Sequence, residues 1–202
     1  MTDTLTRDKW NKSAKYFDLM AGLGAERRWE PAKRALFANI DDGALFLAAG
    51  TGLDFAAFPA GKSITAIDIS PAMLEIAAVK ANDYDGNIEL LEMDANDLDF
   101  EDNSFQQVFT SCTFCSVPNP VHGLQQLHRV LKPGGRLYMF EHTGSHYYPF
   151  KPMMKLMSLL SEKVGPSMDR ETVQNVKAAG FEVLETNNLF LDVVKTIKAR
   201  KP

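Results

Sequence analysis

Cysteine is scarce, with two in 202 residues. Two thiols cannot build the disulfide framework of a small secreted domain, so a reducing cytoplasm is expected. Long apolar runs are missing as well. The most apolar stretch, Met153–Leu160, is broken by Lys155 and followed by Lys163, well short of the roughly 20 residues that cross a bilayer. The opening residues Met1–Lys9 are polar and charged and hold no apolar signal region. No internal repeat or low-complexity tract is visible. The apolar fraction of 45% and charged fraction of 24% are those of an ordinary globular protein, and residues 1–202 read as a single domain.

Positive charge is thin where a nucleic-acid binder would need it. Residues 38–142 hold 5 Lys/Arg against 15 Asp/Glu, while residues 1–37 hold 8 against 5 and residues 143–164 hold 3 against 1. Nucleic acid is therefore not expected as a partner, and the two basic flanks suit an anionic surface.

After an N-terminal helical stretch, short apolar runs alternate with helical patterns, which predicts an α/β parallel sheet with helices on both faces. Strands are predicted over Ala44–Ala49, Ser63–Ile69, Ile88–Met93, Phe105–Ser111 and Arg136–Glu141. Between them lie Leu53–Phe58, a helix opened by Ser70-Pro71 with Met73 facing inward, and Val121–Leu131, stopped by Pro133-Gly134-Gly135. Strict alternation then ends. Residues 143–165 form an insertion rich in Met, Tyr, Pro and Lys, and Arg170–Ala179 is a helix. Phe181–Phe190 and Asp192–Arg200 close the fold as an antiparallel hairpin, bringing the strands to seven.

Open parallel sheets bind ligands beyond the C-terminal ends of their strands. Ala48-Ala49-Gly50-Thr51-Gly52 follows the first strand, where glycine lets backbone amides approach a ligand. Asp68, at the end of the second, is placed to accept the hydroxyls of a ribose, a device NAD proteins share. Asp94, after the third, can accept an adenine amine while Met93, Ala95 and Ile69 flank the ring. Leu131-Lys132-Pro133-Gly134-Gly135 is turn chemistry before the fifth strand. Cys112 and Cys115 form a C-x-x-C pair, but no second pair accompanies it, so no metal is expected and both read as small buried hydrophobes.

Taken with Phe100-Glu101-Asp102-Asn103-Ser104-Phe105, these motifs resemble class I methyltransferases of the ubiquinone/menaquinone type across Leu45–Glu141. A dinucleotide enzyme would want a further glycine at position 55, where Phe55 stands. The resemblance implies a Rossmann-like class I methyltransferase fold, with S-adenosylmethionine as cofactor and S-adenosylhomocysteine as its product. It implies cofactor contacts from Ala48, Gly50, Gly52, Asp68, Ile69, Met73, Asp94 and Ala95, and from the backbone carbonyls of Ser111 and Cys112. Tyr16, in Lys15-Tyr16-Phe17-Asp18, resembles the residue that closes over the cofactor. Two positions depart from the pattern. Phe46 stands where the family has an acid and Ala48 where it has glycine, which motivates an alternative of a non-catalytic cofactor-binding or membrane-docking protein; Asp54 is a substitute for the lost acid.

Thr113-Phe114-Cys115-Ser116-Val117-Pro118-Asn119-Pro120, followed by Phe140-Glu141-His142, resembles bacterial phosphatidylethanolamine N-methyltransferases. That narrower resemblance implies successive methyl transfers to a phospholipid amine, giving phosphatidylcholine. The alternative acceptor is a soluble, thiol or quinone-like small molecule. Two amphipathic segments bear on the choice. In residues 5–23, Trp10, Ala14, Phe17 and Ala21 recur at helical spacing, with Leu5, Met20 and Leu23 nearby and Arg7, Lys9, Lys12 and Lys15 beside them. Such a helix either lies on a membrane or folds over the active site. In residues 147–163, Met and Leu suit flexible acyl chains. A protein peripheral on the inner face of the cell membrane is therefore expected. His142 is the candidate proton acceptor, and Tyr16, Tyr147 and Tyr148 are candidates to cradle a methylammonium. His122 and His128 are expected on a helix surface.

Overall fold

The computed structural model describes residues 3–21, 25–161 and 167–202. One sheet organises the chain. Its strands are β1 (Ala44–Leu47), β2 (Ser63–Asp68), β3 (Asn87–Glu92), β4 (Phe105–Ser111), β5 (Leu131–His142), β6 (Glu182–Phe190) and β7 (Val194–Arg200), in the order β3-β2-β1-β4-β5-β7-β6. The first five run parallel, and β7 is antiparallel to both β5 and β6. This is the class I methyltransferase sheet with its closing hairpin, as the sequence predicts. The helices are α1 (Thr4–Ala21), α2 (Ala25–Phe37), α3 (Pro71–Asn82), α4 (Pro120–Val130), α5 (Phe150–Ser161) and α6 (Thr172–Ala178).

Alternate residues of each central strand enter different cores, as the two-residue period of a strand requires. Leu45, Leu47, Val108, Leu137 and Met139 pack with Leu124, Leu127 and Val130 of α4 and Val176 of α6. Their neighbours Ala44, Phe46, Phe109, Tyr138 and Phe140 pack on the other face with Leu36 and Phe37 of α2 and Ala77 of α3. Phe46 belongs to an edge-to-face cluster with Phe37, Phe55 and Phe58, its centroid 5.0 Å from that of Phe58.

Local chemistry sets the boundaries. The Ser70 hydroxyl accepts the Met73 amide at 3.1 Å with Pro71 opening α3, and Asn119 accepts the His122 amide at 3.2 Å with Pro120 opening α4. Most boundaries shift by one or two residues, and three larger departures stand out. Leu53–Ala57 is a 3₁₀ helix, β5 starts at Leu131 rather than Arg136, and the 143–165 insertion carries α5. The early start of β5 comes from a bulge. Phe105 pairs with Leu131 and Gln107 with Arg136, so the Pro-Gly-Gly turn is looped out inside the strand.

Candidate functional site

A cavity of about 330 Å³ opens beyond the C-terminal ends of β1 to β4, a volume within the range of small-molecule sites. At its β2–β3 end stand two buried carboxylates. Asp68 accepts the Gly50 amide at 2.8 Å and the Ser70 amide at 2.9 Å. Burial pushes its pKa up from the ordinary aspartate value, against the pull of those amides. Asp94 accepts the Asn96 amide at 2.8 Å and the Asp3 amide at 2.9 Å. A carboxylate offers about four acceptor sites, so each retains capacity toward the cavity. Ile69, Met73, Met93 and Ala95 form the apolar wall beside them.

The loop after β1 makes the floor. Gly50, at φ +55°, has nothing within 4 Å of where a Cβ would stand, so its backbone is bare toward the cavity. Ala48 lines the cavity at φ +59°. The family's glycine position is thus filled by an alanine that still adopts the left-handed conformation, at roughly 1–2 kcal/mol of strain. Gly52 does not line this cavity; at φ +77° its Cβ would stand 2.7 Å from the Phe55 ring, so glycine there serves packing. Phe46 points into the aromatic cluster rather than the cavity. Asp54, the substitute for the lost acid, is not in the wall either: it pairs with the nearly buried Lys33 of α2 at 2.9 Å, and Lys33 also lies 5.2 Å over the Phe140 ring.

α1 closes the top. Asp3 caps this helix, accepting the Leu5 and Thr6 amides, while its own amide goes to Asp94. Asn11 Oδ1 accepts the Ser70 hydroxyl at 2.6 Å and the Ala72 amide at 3.3 Å. Asp18 takes Lys80 at 2.8 Å and the Thr51 hydroxyl. Trp10 and Phe17 line the cavity edge to face, 6.1 Å apart, and Ala14 is buried. The apolar stripe therefore faces the site. Three of the four basic residues have partners within the protein, Arg7 with Glu92 at 3.3 Å and Lys9 and Lys15 over Trp10 and Tyr16, while Lys12 is exposed. Leu23 and Lys163, enlisted from sequence in the two amphipathic segments, lie outside the described residues.

The β4 end is built by the loop from Ser111 to Pro118. Ser111, Cys112, Cys115, Ser116, Val117 and Pro118 line the cavity. Cys115 is buried, as expected; its thiol donates to the Cys112 carbonyl at 3.1 Å, and burial pushes its pKa up to about 12. Cys112 departs from expectation, for at φ +51° its side chain is exposed toward the cavity, and the surrounding protein raises its pKa well above the ordinary thiol value. Glu141 fixes this loop. It is fully buried, and it accepts the Thr110 hydroxyl at 2.9 Å and the Thr113 and Phe114 amides at 3.1 and 3.2 Å. Burial pushes its carboxyl up to about 7, against those hydrogen bonds.

The comparisons with known proteins agree with this geometry. Residues 45–139 match the family model described as a methyltransferase domain. A demethylmenaquinone methyltransferase of Clavibacter sepedonicus is 33% identical over 205 residues, covering 91% of this chain and 83% of that protein. The chain belongs to the class I S-adenosylmethionine-dependent methyltransferases. A ubiquinone/menaquinone biosynthesis C-methyltransferase UbiE, of Geobacter sp. strain M21, is 31% identical over 175 residues, covering 81% of the methyltransferase and 74% of the relative. A crystal structure of an S-adenosylmethionine-dependent methyltransferase from Thermotoga maritima superposes with a TM-score of 0.70 at 18% identity, covering 96% of this chain and all of that one. The cofactor is S-adenosylmethionine. The expectation of phosphatidylethanolamine N-methylation is overturned, because these relatives are named for quinone biosynthesis. The stretch Thr113–Pro120 that suggested it is the loop into α4, its first two amides held by Glu141.

The methyltransferase also keeps the proposed amine-handling residues out of the cavity. Among the described residues, Tyr16, Tyr147 and Tyr148 are exposed and none lines it. His142 ends β5 but is not in the wall; its Nδ1 is buried without a hydrogen-bond partner, and burial lowers its pKa. Successive strand residues point to opposite faces. Glu141 reaches the β4 loop, so its neighbour turns away. His122 is exposed, whereas His128 is half-buried against Phe181 at 5.1 Å. Sequence reasoning missed Asp3, Asn11 and Lys33 and assigned Glu141 no role. A signal for Glu141 was available: a carboxylate ending the apolar run Leu137–Phe140 has to find internal donors. Asn11 carried none.

Proposed function

We propose that this methyltransferase transfers a methyl group to a ring carbon of a quinol-type acceptor. The observation that carries the reading is its relation, over most of its length, to methyltransferases named for demethylmenaquinone and ubiquinone/menaquinone. The cavity supports it. In the sheet order β3-β2-β1-β4 the carboxylates stand at one end and the β4 loop at the other. The β4 end, with Cys115, Val117 and Pro118 and with Phe17 and Trp10 above, offers flat apolar walls suited to an aromatic ring.

Bound S-adenosylmethionine supplies an electrophilic methyl group. In this reading Asp68 holds the ribose hydroxyls and Asp94 the adenine amine, between Ile69, Met93 and Ala95. Ala48 and Gly50 present backbone to the methionine part, with the Ser111 and Cys112 carbonyls opposite. Trp10 and Phe17 exclude water and press the ring into line with the transferring group. In this reading the Ser116 hydroxyl and Cys112 thiol, which line that end, orient a phenolic oxygen. Nucleophilicity comes from the ring itself once that oxygen gives up its proton to solvent, and the aromatic ring is restored when the hydrogen on the methylated carbon leaves as a proton to solvent, so no buried amine has to be deprotonated.

The test is label transfer from the cofactor to a demethylated, short-tailed naphthoquinol under reducing conditions. Label on a ring carbon is expected. Label appearing only on a water-soluble amine or thiol acceptor would overturn the reading.

A further inference from the structure

α5 is attached to the body along one side. Met154 and Ser158, four residues apart, are buried. The Ser158 hydroxyl donates to Asp169 at 2.7 Å and accepts the Met168 amide at 2.7 Å. With 3.6 residues per turn, Met153, Leu156 and Met157 fall outside that contact, and they are exposed together with Phe150 at the helix start, Leu156 at 61%. Tyr147 and Tyr148 extend the patch at its start, the latter 88% exposed. Lys151 and Lys155, also four apart and exposed, lie on the opposite side of the helix from Met153 and Met157. Among the described residues, acidic groups nearby are engaged elsewhere: Asp169 with Ser158 and Ser167, Asp192 with Ser145 and the His146 amide. An exposed apolar patch of this kind, with cations on the polar face behind it, marks an interaction site.

The patch shares its support with the acceptor end of the cavity. The segment that anchors α5 also carries Ser167, whose amide donates to the Cys115 carbonyl at 2.8 Å, and Arg170, which reaches the Val117 carbonyl at 3.4 Å. Cys115 and Val117 both line the cavity.

We propose that this face of α5 seats the protein on an anionic lipid bilayer, with Phe150, Met153, Leu156 and Met157 in the interface and Lys151 and Lys155 among the head groups. The pattern is that of an in-plane amphipathic helix, and the lysines supply the charge complementarity. The inference rests on the quinol reading above: a ring with a long hydrocarbon tail dissolves in the membrane, so the enzyme has to take it from there. On α1, by contrast, Trp10 and Phe17 of the apolar stripe are spent on the cavity.

Sedimentation with vesicles tests it, comparing phosphatidylglycerol/phosphatidylcholine with phosphatidylcholine alone. The wild-type protein is expected to bind the anionic vesicles. Lys151→Glu with Lys155→Glu should weaken that binding by about tenfold or more, and Leu156→Ser with Met157→Ser should weaken it independently. Both variants should keep their cofactor affinity by calorimetry and their rate on a short-tailed quinol. Absence of wild-type binding, or binding that survives both pairs of changes, overturns the proposal. So does a dimer in solution that Leu156→Ser with Met157→Ser dissociates, since the face would then belong to a second copy. The two readings fail separately: vesicle binding without turnover of the short-tailed quinol removes the acceptor, and turnover without vesicle binding removes the docking.

Discussion

At the β2–β3 end of the cavity two carboxylates, Asp68 and Asp94, face the ligand space half-saturated by backbone amides. At the β4 end the carboxylate, Glu141, is turned away from the cavity and given wholly to the loop that makes its wall. The same contrast separates the helices above. α1 goes with the polar end and is tied down through Asp3, Asn11 and Asp18. α5 goes with the apolar end and leaves its apolar arc outside. One end is finished by directional hydrogen bonds and the other by surface. Two helices that both combine basic with apolar residues thus have different positions, and the polar residues Asn11 and Asp18 hold α1 in its own.

If the ends are separable, changes at one should leave the other untouched. The largest effect is expected at Glu141. Its carboxyl sits near 4.5 when unfolded and about 7 in the folded protein. Between those values the folded protein holds a proton that the unfolded chain has lost. Stability is therefore greatest below the window and falls as pH rises through it, by on the order of 3 kcal/mol. Thermal melting from pH 5 to 8 should show the decline, and Glu141→Gln should flatten it without changing cofactor affinity. Next is Asp68→Ala, which should weaken cofactor binding by about 100-fold through the loss of charge-assisted hydrogen bonds. Calorimetry measures it, and an equal loss in acceptor KM would show that the ends are coupled. Releasing the α1 latch, with Asn11→Ala and Asp18→Ala together, should speed cofactor dissociation by about tenfold, read by stopped-flow. The smallest change is Ala48→Gly. Relief of the left-handed alanine is partly offset by the freedom glycine adds to the unfolded chain, leaving a gain of about 0.5 kcal/mol in denaturant unfolding.

The sheet was legible because its signals are local. Ser70-Pro71 and Asn119-Pro120 open helices by capping, and alternation along Leu45–Leu47 and Leu137–Phe140 supplies both cores. The β2–β3 end of the site was legible for the same reason, since Asp68, Ile69, Asp94 and Ala95 lie at strand ends that topology brings together. What escaped depends on orientation. His142 and Glu141 are adjacent, and which of the two faces the β4 loop is decided by the carboxylate's need for internal donors, not by the chemistry expected of the histidine. Gly52 reads as part of a ligand loop but is required by the Phe55 ring. The role of α1 depends on partners 33 to 91 residues away, as in the contacts of Asp18 with Thr51 and of Asp3 with Asp94, and no local pattern announces such pairs.

Cys112 gives the chamber a built-in witness. Its exposed side chain lines the cavity, and the companion thiol of Cys115 is sealed off and hydrogen-bonded. A single slow-reacting sulfur at that position turns any small thiol reagent into a clock for vacancy, running when the chamber is empty and stopping when it is taken.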